Sequence, residues 1–283
     1  MVTGNSIMNE RPVAFITGAS RGIGAETARE FARHGYDCVL VADESDRLDE
    51  VAFSLKALDA KTLICHGDLY DLDFARHSVE RCQEQWGRID VLVNNAAWRE
   101  IVTMRRIELS SWEKTLRICL TVPAFLARWC AEVMEPTGRG VILNVSSIQS
   151  RFTSGISPAY IAAKGGLDSL TYELAALYGA AGIRVLSVNP GAIDTDLSKN
   201  HGSIKSDESL RNYVEGMIPL GRYGNPEEIA KTLIMLASDS ASYLTGTCIE
   251  IDGGWSHQCT PYALKQMQMP EEFMKSRKPL TDV

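Results

Sequence analysis

A strand, a glycine-rich turn and a helix in immediate succession, over Val13 to Gly24 (V-A-F-I-T-G-A-S-R-G-I-G), constrain this 283-residue chain more than any other stretch. Val13 to Ile16 is an apolar run of the kind that becomes a fully buried strand, and it stops at Gly18. Past the turn, Ile23, Ala28, Phe31 and Ala32 recur on one helical face, with Gly35 placed to end the helix. Gly18, Gly22 and Gly24 let the backbone turn tightly and approach a pyrophosphate, while the helix start offers unpaired N–H groups and partial positive charge. The spacing is G-x-x-x-G-x-G, not the more familiar G-x-G-x-x-G. A turn of this kind also serves packing alone, so a nucleotide site needs support from the rest of the chain.

That support comes from alternation. Further strand-like runs are Cys38 to Ala42, Thr62 to Cys65, Ile89 to Val93, Val141 to Val145, Arg184 to Val188 and Cys248 to Ile251, separated by helix-length segments. Ser110 and Glu113 have capping-box spacing for a helix through Met134. Ser157-Pro158 opens another, with Leu167, Leu170, Leu174 and Leu177 at helical spacing, and Asn225, Pro226 and Glu228 start a last one through Ala237. Seven strands joined this way predict right-handed crossovers and a doubly wound, Rossmann-type parallel sheet flanked by helices. This single α/β domain is expected over residues 12–255, with a flexible arm at 1–11 and an extension at 256–283. Ligands in such sheets bind outside the carboxyl ends of the strands. Gly18, Asp43, Asp68, Asn95, Ser146, Ser147, Pro190 and Gly191 fall at those ends and should line one crevice.

Charge and cysteine usage narrow the partners. A net charge of -7 without a dense Lys/Arg run argues against nucleic acid or an anionic membrane surface and for a small molecule. No stretch reaches the roughly 18 apolar residues of a membrane span, and the N-terminus lacks a basic-then-apolar signal pattern, so a cytoplasmic protein is expected. Seven scattered cysteines without a C-x-x-C pair read as reduced and mostly buried, with neither a disulfide frame nor a metal site.

Tyr160 and Lys164 lie four positions apart near a helix start, which puts both side chains on one face. An ammonium beside a phenol favours the phenolate, as a proton-transferring tyrosine requires. Ser147, at the end of the fifth strand, offers a hydroxyl for a substrate oxygen, although a serine there also serves as a turn or cap residue.

In their order, Thr17-Gly18-x-x-x-Gly22-Ile23-Gly24, Asp68-Leu69, Asn94-Asn95-Ala96, Ser147, Tyr160-x-x-x-Lys164, Asn189-Pro190-Gly191 and Asp252-Gly253-Gly254 resemble the short-chain dehydrogenase/reductases over about residues 12–255. The layout is similar to that of 3-oxoacyl-(acyl-carrier-protein) reductases. The resemblance implies hydride transfer between a nicotinamide dinucleotide and a ketone or secondary alcohol, with Tyr160 as general acid/base and Ser147 orienting the substrate oxygen. It implies that Lys164 binds the nicotinamide ribose and lowers the Tyr160 pKa. It places the glycine turn (Gly18, Ser20, Arg21, Gly22, Ile23, Gly24) and the Pro190-Gly191 turn on the cofactor, Asp68 and Leu69 beside the adenine, Asn95 and Ala96 along its middle, and Ile193 and Thr195 at the carboxamide. A 3-oxoacyl-thioester reductase and a non-catalytic dinucleotide sensor or scaffold are the alternative readings.

Asp43 and Glu44 close the second strand where the adenosine ribose should lie; a carboxylate there accepts from a 2′-hydroxyl and repels a 2′-phosphate, so NAD is expected. Arg21 and the Ala42 at the family's usual acidic position pull towards NADP. Two departures from the family pattern stand out. Cys119 occupies the place of an Asn that holds a water in the proton relay, and Ala97 replaces the usual Gly after Asn-Asn-Ala. The polar segment 198–223 is expected to be a lid. In the tail, the apolar residues Tyr262, Leu264, Met267, Met269, Phe273 and Met274, with a short helix beginning at Pro270, suggest docking in a homo-oligomer, a dimer or tetramer.

Overall fold

Strands buried on both faces carry apolar side chains without alternation, and the sheet at the centre of this protein is built from such runs. The computed structural model describes residues 11–195 and 208–272. Its chain order is β1 (Val13–Thr17), α1 (Gly22–Arg33), β2 (Asp37–Ala42), α2 (Ser45–Lys56), β3 (Thr62–His66), α3 (Leu72–Trp86) and β4 (Val91–Asn94). There follow α4 (Leu109–Leu116), a π-helical turn (Arg117–Thr121), α5 (Val122–Met134), β5 (Gly140–Val145), α6 (Pro158–Tyr178) and β6 (Ile183–Pro190). The last elements are α7 (Glu208–Met217), α8 (Pro226–Ala237), β7 (Thr247–Ile251) and α9 (Tyr262–Gln268).

The seven strands form one parallel sheet in the order β3-β2-β1-β4-β5-β6-β7. The chain reverses its direction of travel between β1 and β4, where Ile16 pairs with Val93, so the crevice opens beyond Thr17 and Asn94. On one face Ile16, Leu40 and Leu143 pack with Phe31, Leu48 and Leu233 of α1, α2 and α8. On the other, Phe15, Leu92 and Ile142 pack with Val79, Leu126 and Ala163 of α3, α5 and α6. Full burial of each such large apolar side chain is worth roughly 1.5–3 kcal/mol, and this two-sided core holds the strand ends in register.

Several expectations shift. The helix expected to be capped by Ser110 is capped two residues earlier, by Glu108, so that it starts at Leu109, and it is interrupted by the π turn before α5. Leu177 is 62% exposed although it continues the leucine repeat of α6. At about 100° per residue it lies some 80° from the direction of Leu167, off the buried face. Arg11, counted with the flexible arm, is tied down: it donates to the carbonyls of Gly35 (2.9 Å) and Ala32 (3.1 Å). Residues 1–10 lie outside the described residues, as do 196–207, which take in 198–207 of the expected lid, and 273–283 of the tail. The described remainder of the lid segment is helical over Glu208–Met217, as α7, and only 218–223 is irregular. The helix of the tail is α9, and Pro270 sits in a turn after it. Gln258 and Lys265 connect the tail to α7, with Gln258 Nε2 donating to the Met217 carbonyl at 2.7 Å and Lys265 Nζ to Gln258 Oε1 at 2.9 Å.

Candidate active site

The glycine turn is fixed as much by packing as by any ligand. Gly18 has φ +64, and a Cβ there would sit 2.9 Å from Ala96 Cα; a Cβ on Gly24 would meet the Gly18 carbonyl oxygen at 2.1 Å. Thr17 Oγ1 accepts from the backbone N–H groups of Asn95 and Ala96, both at 3.0 Å. Asn95 Nδ2 returns hydrogen bonds to the carbonyls of Thr17 (2.9 Å) and Gly18 (3.2 Å). Asn95 therefore laces the end of β4 to the turn, so its amide shapes the crevice from behind. Gly22, at φ +54, is different: its missing Cβ would project towards Thr195 Cγ2 at 3.4 Å. Ser20, Arg21, Gly22, Asp194 and Thr195 line a cavity of about 250 Å³ at the start of α1, where a side chain in place of Gly22 would intrude. A cradle of bare backbone at a helix start fits the pyrophosphate of a dinucleotide.

Asp68 and Leu69 stand at the end of β3, with Asp68 Oδ1 accepting from Tyr70 N–H at 2.8 Å and Leu69 buried. At the end of β2 the two acids divide. Asp43 is exposed, whereas the Glu44 carboxylate turns back to the glycine turn, accepting from Ser20 Oγ at 3.1 Å and lying 3.6 Å from Arg21 Nε. On the far side, Gly191 allows Pro190-Gly191 to pass close to Asp252, where a Cβ would come within 2.7 Å of the aspartate's own Cβ. Ile193 is buried and bridges to Gly224, which leaves Thr195 at the cavity edge.

Ser147, Tyr160 and Lys164 converge beyond β5. Ser147 is half-buried and caps a single helical turn (Ile148–Ser150), its Oγ accepting from Gln149 N–H at 3.1 Å. The neighbouring Ser146 Oγ donates to the Lys164 carbonyl at 3.2 Å, which joins the first turns of α6 to the strand end. Tyr160 is 7% exposed and Lys164 2%. The Lys164 ammonium donates to the Val145 carbonyl at 2.6 Å and stands 5.5 Å from the centroid of the Tyr160 ring.

Two features of the site were not legible in the sequence. Arg99, in the loop after β4, places its guanidinium carbon 5.4 Å from the centroid of the same tyrosine ring. Phe152 and Trp255 meet edge to face at 6.4 Å, and the buried Trp255 indole N–H has no partner among the described residues. No motif marks either one; only proximity in the fold reveals them. Cys119 is fully buried, donating from its thiol to the Trp98 carbonyl at 3.3 Å and accepting from the Trp98 N–H at 3.5 Å. Burial pushes the Cys119 thiol up, against the opposing pull of Lys164, the Trp98 bond and Arg99, so it stays protonated. A second cavity, about 370 Å³, lies between Pro219, Gly254, His257 and Lys265 and touches none of the three convergent residues.

A doubly wound sheet with a bare glycine cradle at its switch point, and a serine, tyrosine and lysine beside it, defines a dinucleotide-dependent oxidoreductase. A family model described as Enoyl-(Acyl carrier protein) reductase matches residues 18–256. The chain belongs to the short-chain dehydrogenase/reductase family. It is 36% identical over 245 residues to a cis-4-hydroxycyclohexanecarboxylate dehydrogenase of Sinomonas cyclohexanicum, covering 86% of this chain and 96% of that protein. It is 33% identical to a 3-oxoacyl-(acyl-carrier-protein) reductase of Thermotoga maritima, covering 87% and 98%. The solved structure of a levodione reductase superposes with a TM-score of 0.83 at 30% identity, covering 87% of this chain and 98% of the other. The protein is an NAD(P)-dependent oxidoreductase acting on alcohols and ketones, with a small-molecule substrate. Among the described residues no helix is long and apolar enough to cross a membrane.

Proposed function

We propose that this protein interconverts a ketone and a secondary alcohol with Tyr160 as the general acid/base, and that its cofactor is NAD(H). The observation that carries the reading is the convergence of Ser147, Tyr160 and Lys164 beyond β5, on the same edge of the sheet as the glycine cradle. When bound, the nicotinamide supplies or takes up the hydride at the carbonyl carbon. In the reducing direction Ser147 Oγ donates a hydrogen bond to the carbonyl oxygen, and the Tyr160 hydroxyl gives that oxygen its proton as the C–H bond forms. Lys164 holds the ribose side of the site and stabilises the phenolate left on Tyr160. Ser20, Gly22 and Thr195 hold the pyrophosphate and the nicotinamide end, and Asp68 and Leu69 flank the adenine.

The preference for NAD(H) rests on Glu44. Its carboxylate lies against Ser20 and Arg21, so a 2′-phosphate entering there would meet negative charge, and the guanidinium beside it is already engaged with Glu44. Asp43, with its exposed side chain, contributes less. We further propose a cytoplasmic homo-oligomer, a dimer or tetramer, because α5 and α6 expose Phe125, Tyr172 and Leu177 and the segment before β7 exposes Tyr243 and Leu244.

NADH oxidation with a panel of cyclic ketones and 3-oxoacyl thioesters tests the reading, run on the wild-type protein and on Tyr160→Phe. Reduction of ketones that disappears with the phenylalanine supports it. Turnover confined to thioesters would turn the assignment to the acyl-reductase alternative, and no turnover of either class to a binding protein.

A further inference from the structure

Asp168 is a buried acid for which the proposed chemistry has no use. It lies on α6 one helical turn beyond Lys164 and two beyond Tyr160, 6% exposed, where a carboxyl group is costly unless both its oxygens are bonded. Both are. Ser187 Oγ donates to Oδ1 and Asn189 Nδ2 to Oδ2, each at 3.0 Å. The Asn189 amide also donates to Ser150 Oγ at 3.3 Å, and the Ser150 N–H donates to the Ser147 carbonyl at 2.9 Å, closing the turn that Ser147 caps. One line of side chains, from Asp168 through Asn189 to Ser150, joins the helix that carries Tyr160 to the turn that carries Ser147.

We propose that Asp168 is a positioning residue for the reaction: acting through Asn189, it sets where Ser147 stands relative to Tyr160. This rests on the reading of Ser147 and Tyr160 as the pair that meets the substrate oxygen. The two belong to different elements, and Ser147 is held on both sides. The bond from Ser146 Oγ to the Lys164 carbonyl fixes the strand end before it, and the bond from Asn189 to Ser150 fixes the turn after it. A carboxylate accepts but does not donate, so the Asn189 amide must turn its NH2 towards Asp168, which leaves its oxygen to Ser187 at 3.1 Å. Without the acid, that amide is free to rotate and to let the Ser150 turn shift. A displacement of about 1 Å at a reacting group can cost 10²-fold in rate.

The test uses the full chain with NADH and a cyclic ketone that the wild-type protein reduces. Asp168→Ala should lower kcat by about ten- to a hundredfold. KM for the ketone and the dissociation constant for NADH should stay within about threefold, because the groups displaced are those whose bonds tighten on the way to the transition state. Asp168→Asn should bring kcat back to within about threefold of the wild-type value, since its amide oxygen can accept from Asn189 while its NH2 donates to Ser187 Oγ. A lower melting temperature in Asp168→Ala with kcat unchanged marks a purely structural role and overturns the inference. An equal loss of kcat in the asparagine and alanine variants overturns it too, because the bonds to Asn189 and Ser187 would then not be what matters.

Action through Asn189 has its own measurement. Asn189→Ala breaks the same line while the acid stays in place, and it should lower kcat by a similar factor. In the double variant Asp168→Ala/Asn189→Ala the two losses should not multiply, as holds for residues of one network. Wild-type kcat in Asn189→Ala overturns the inference whether or not Asp168→Ala folds, and so do losses that multiply in the double variant. Failure of the wild-type protein to reduce any ketone would remove the reductase reading; ketone reduction that both alanine variants leave untouched would remove only the inference about Asp168.

Discussion

Lys164 Nζ donates to the carbonyl of Val145 at 2.6 Å, so the ammonium one helical turn beyond Tyr160 is anchored on the last residue of β5. The contact holds the charge beside the phenol ring and is possible only because α6 begins directly over the strand end. Lys164→Met should lower kcat by about 10²-fold or more and raise KM for the dinucleotide, because in the proposed reading one side chain serves both proton transfer and the ribose. Melting temperature should fall modestly, since the Val145 carbonyl loses its ammonium donor at a cost of about 1–3 kcal/mol, partly offset because a charge is no longer buried. Steady-state kinetics beside a thermal melt checks both; an unaltered kcat would remove Lys164 from the reaction.

Tyr160→Phe takes away only the transferable proton. Turnover should fall by about 10²–10⁴-fold, the usual worth of a general acid/base. The dissociation constant for NADH, read by fluorescence, should stay within about threefold of the wild-type value, as no binding contact is lost. More than about a hundredth of wild-type kcat remaining would end the general-acid assignment.

The cofactor preference separates two neighbouring acids. Glu44→Ala frees Ser20 and Arg21 and should lower KM for NADPH by about tenfold or more, whereas Asp43→Ala, at an exposed carboxylate, should alter the NADPH/NADH ratio less. Ratios of kcat/KM for the two dinucleotides in both variants decide it. A larger response at Asp43 would return the role to the residue that the strand boundary alone suggests.

Between Asp43 and Glu44, spacing along the chain does not choose. The sheet was readable because parallel strands are apolar on both faces, and the polar breaks at Gly18, Asn95 and Ser147 mark their ends directly. Tyr160 and Lys164 were readable because helical spacing fixes their common face. Asp43 and Glu44, by contrast, are adjacent, and which one turns back to the glycine turn depends on Glu44 capping α2, a detail set by tertiary geometry. Arg99 was invisible for a related reason. It lies in the irregular loop after β4, and its contact with Tyr160 spans about sixty positions that no spacing rule connects.

At the start of α8, Glu228 is held by Arg222 through both carboxylate oxygens, at 2.7 and 2.9 Å, and accepts from the Asn225 N–H at 2.8 Å. The Arg222 bond, with burial opposing and the Asn225 N–H assisting, keeps this carboxyl below its ordinary range. Its pKa is lower folded than unfolded, so its stabilisation is fully present above the unfolded value and is lost as pH falls through the folded one. The pair is partly exposed, which screens it to about 1 kcal/mol or less. Glu228→Gln should therefore lower the melting temperature at pH 7 by about 2–4 °C at most. The difference should shrink below about pH 4. A gap that widens in acid would contradict the pairing.

The sharpest test of local geometry concerns Cys119. From the sequence, an Asn at this place holds a relay water, and Cys119→Asn should raise kcat. The structure gives the side chain another engagement, since the thiol spans the N–H and the carbonyl of Trp98 and so suspends the loop that carries Arg99. An asparagine amide has one donor side and one acceptor side and can serve both Trp98 groups in the same way. Cys119→Asn should therefore keep the fold and leave kcat within about threefold of the wild-type value. Cys119→Ala removes the thiol from two part-buried backbone groups and should cost about 1 kcal/mol, read as a lower melting temperature. A rise of kcat by about tenfold in Cys119→Asn, at unchanged stability, would restore the water relay and take the loop-holding role away from the thiol.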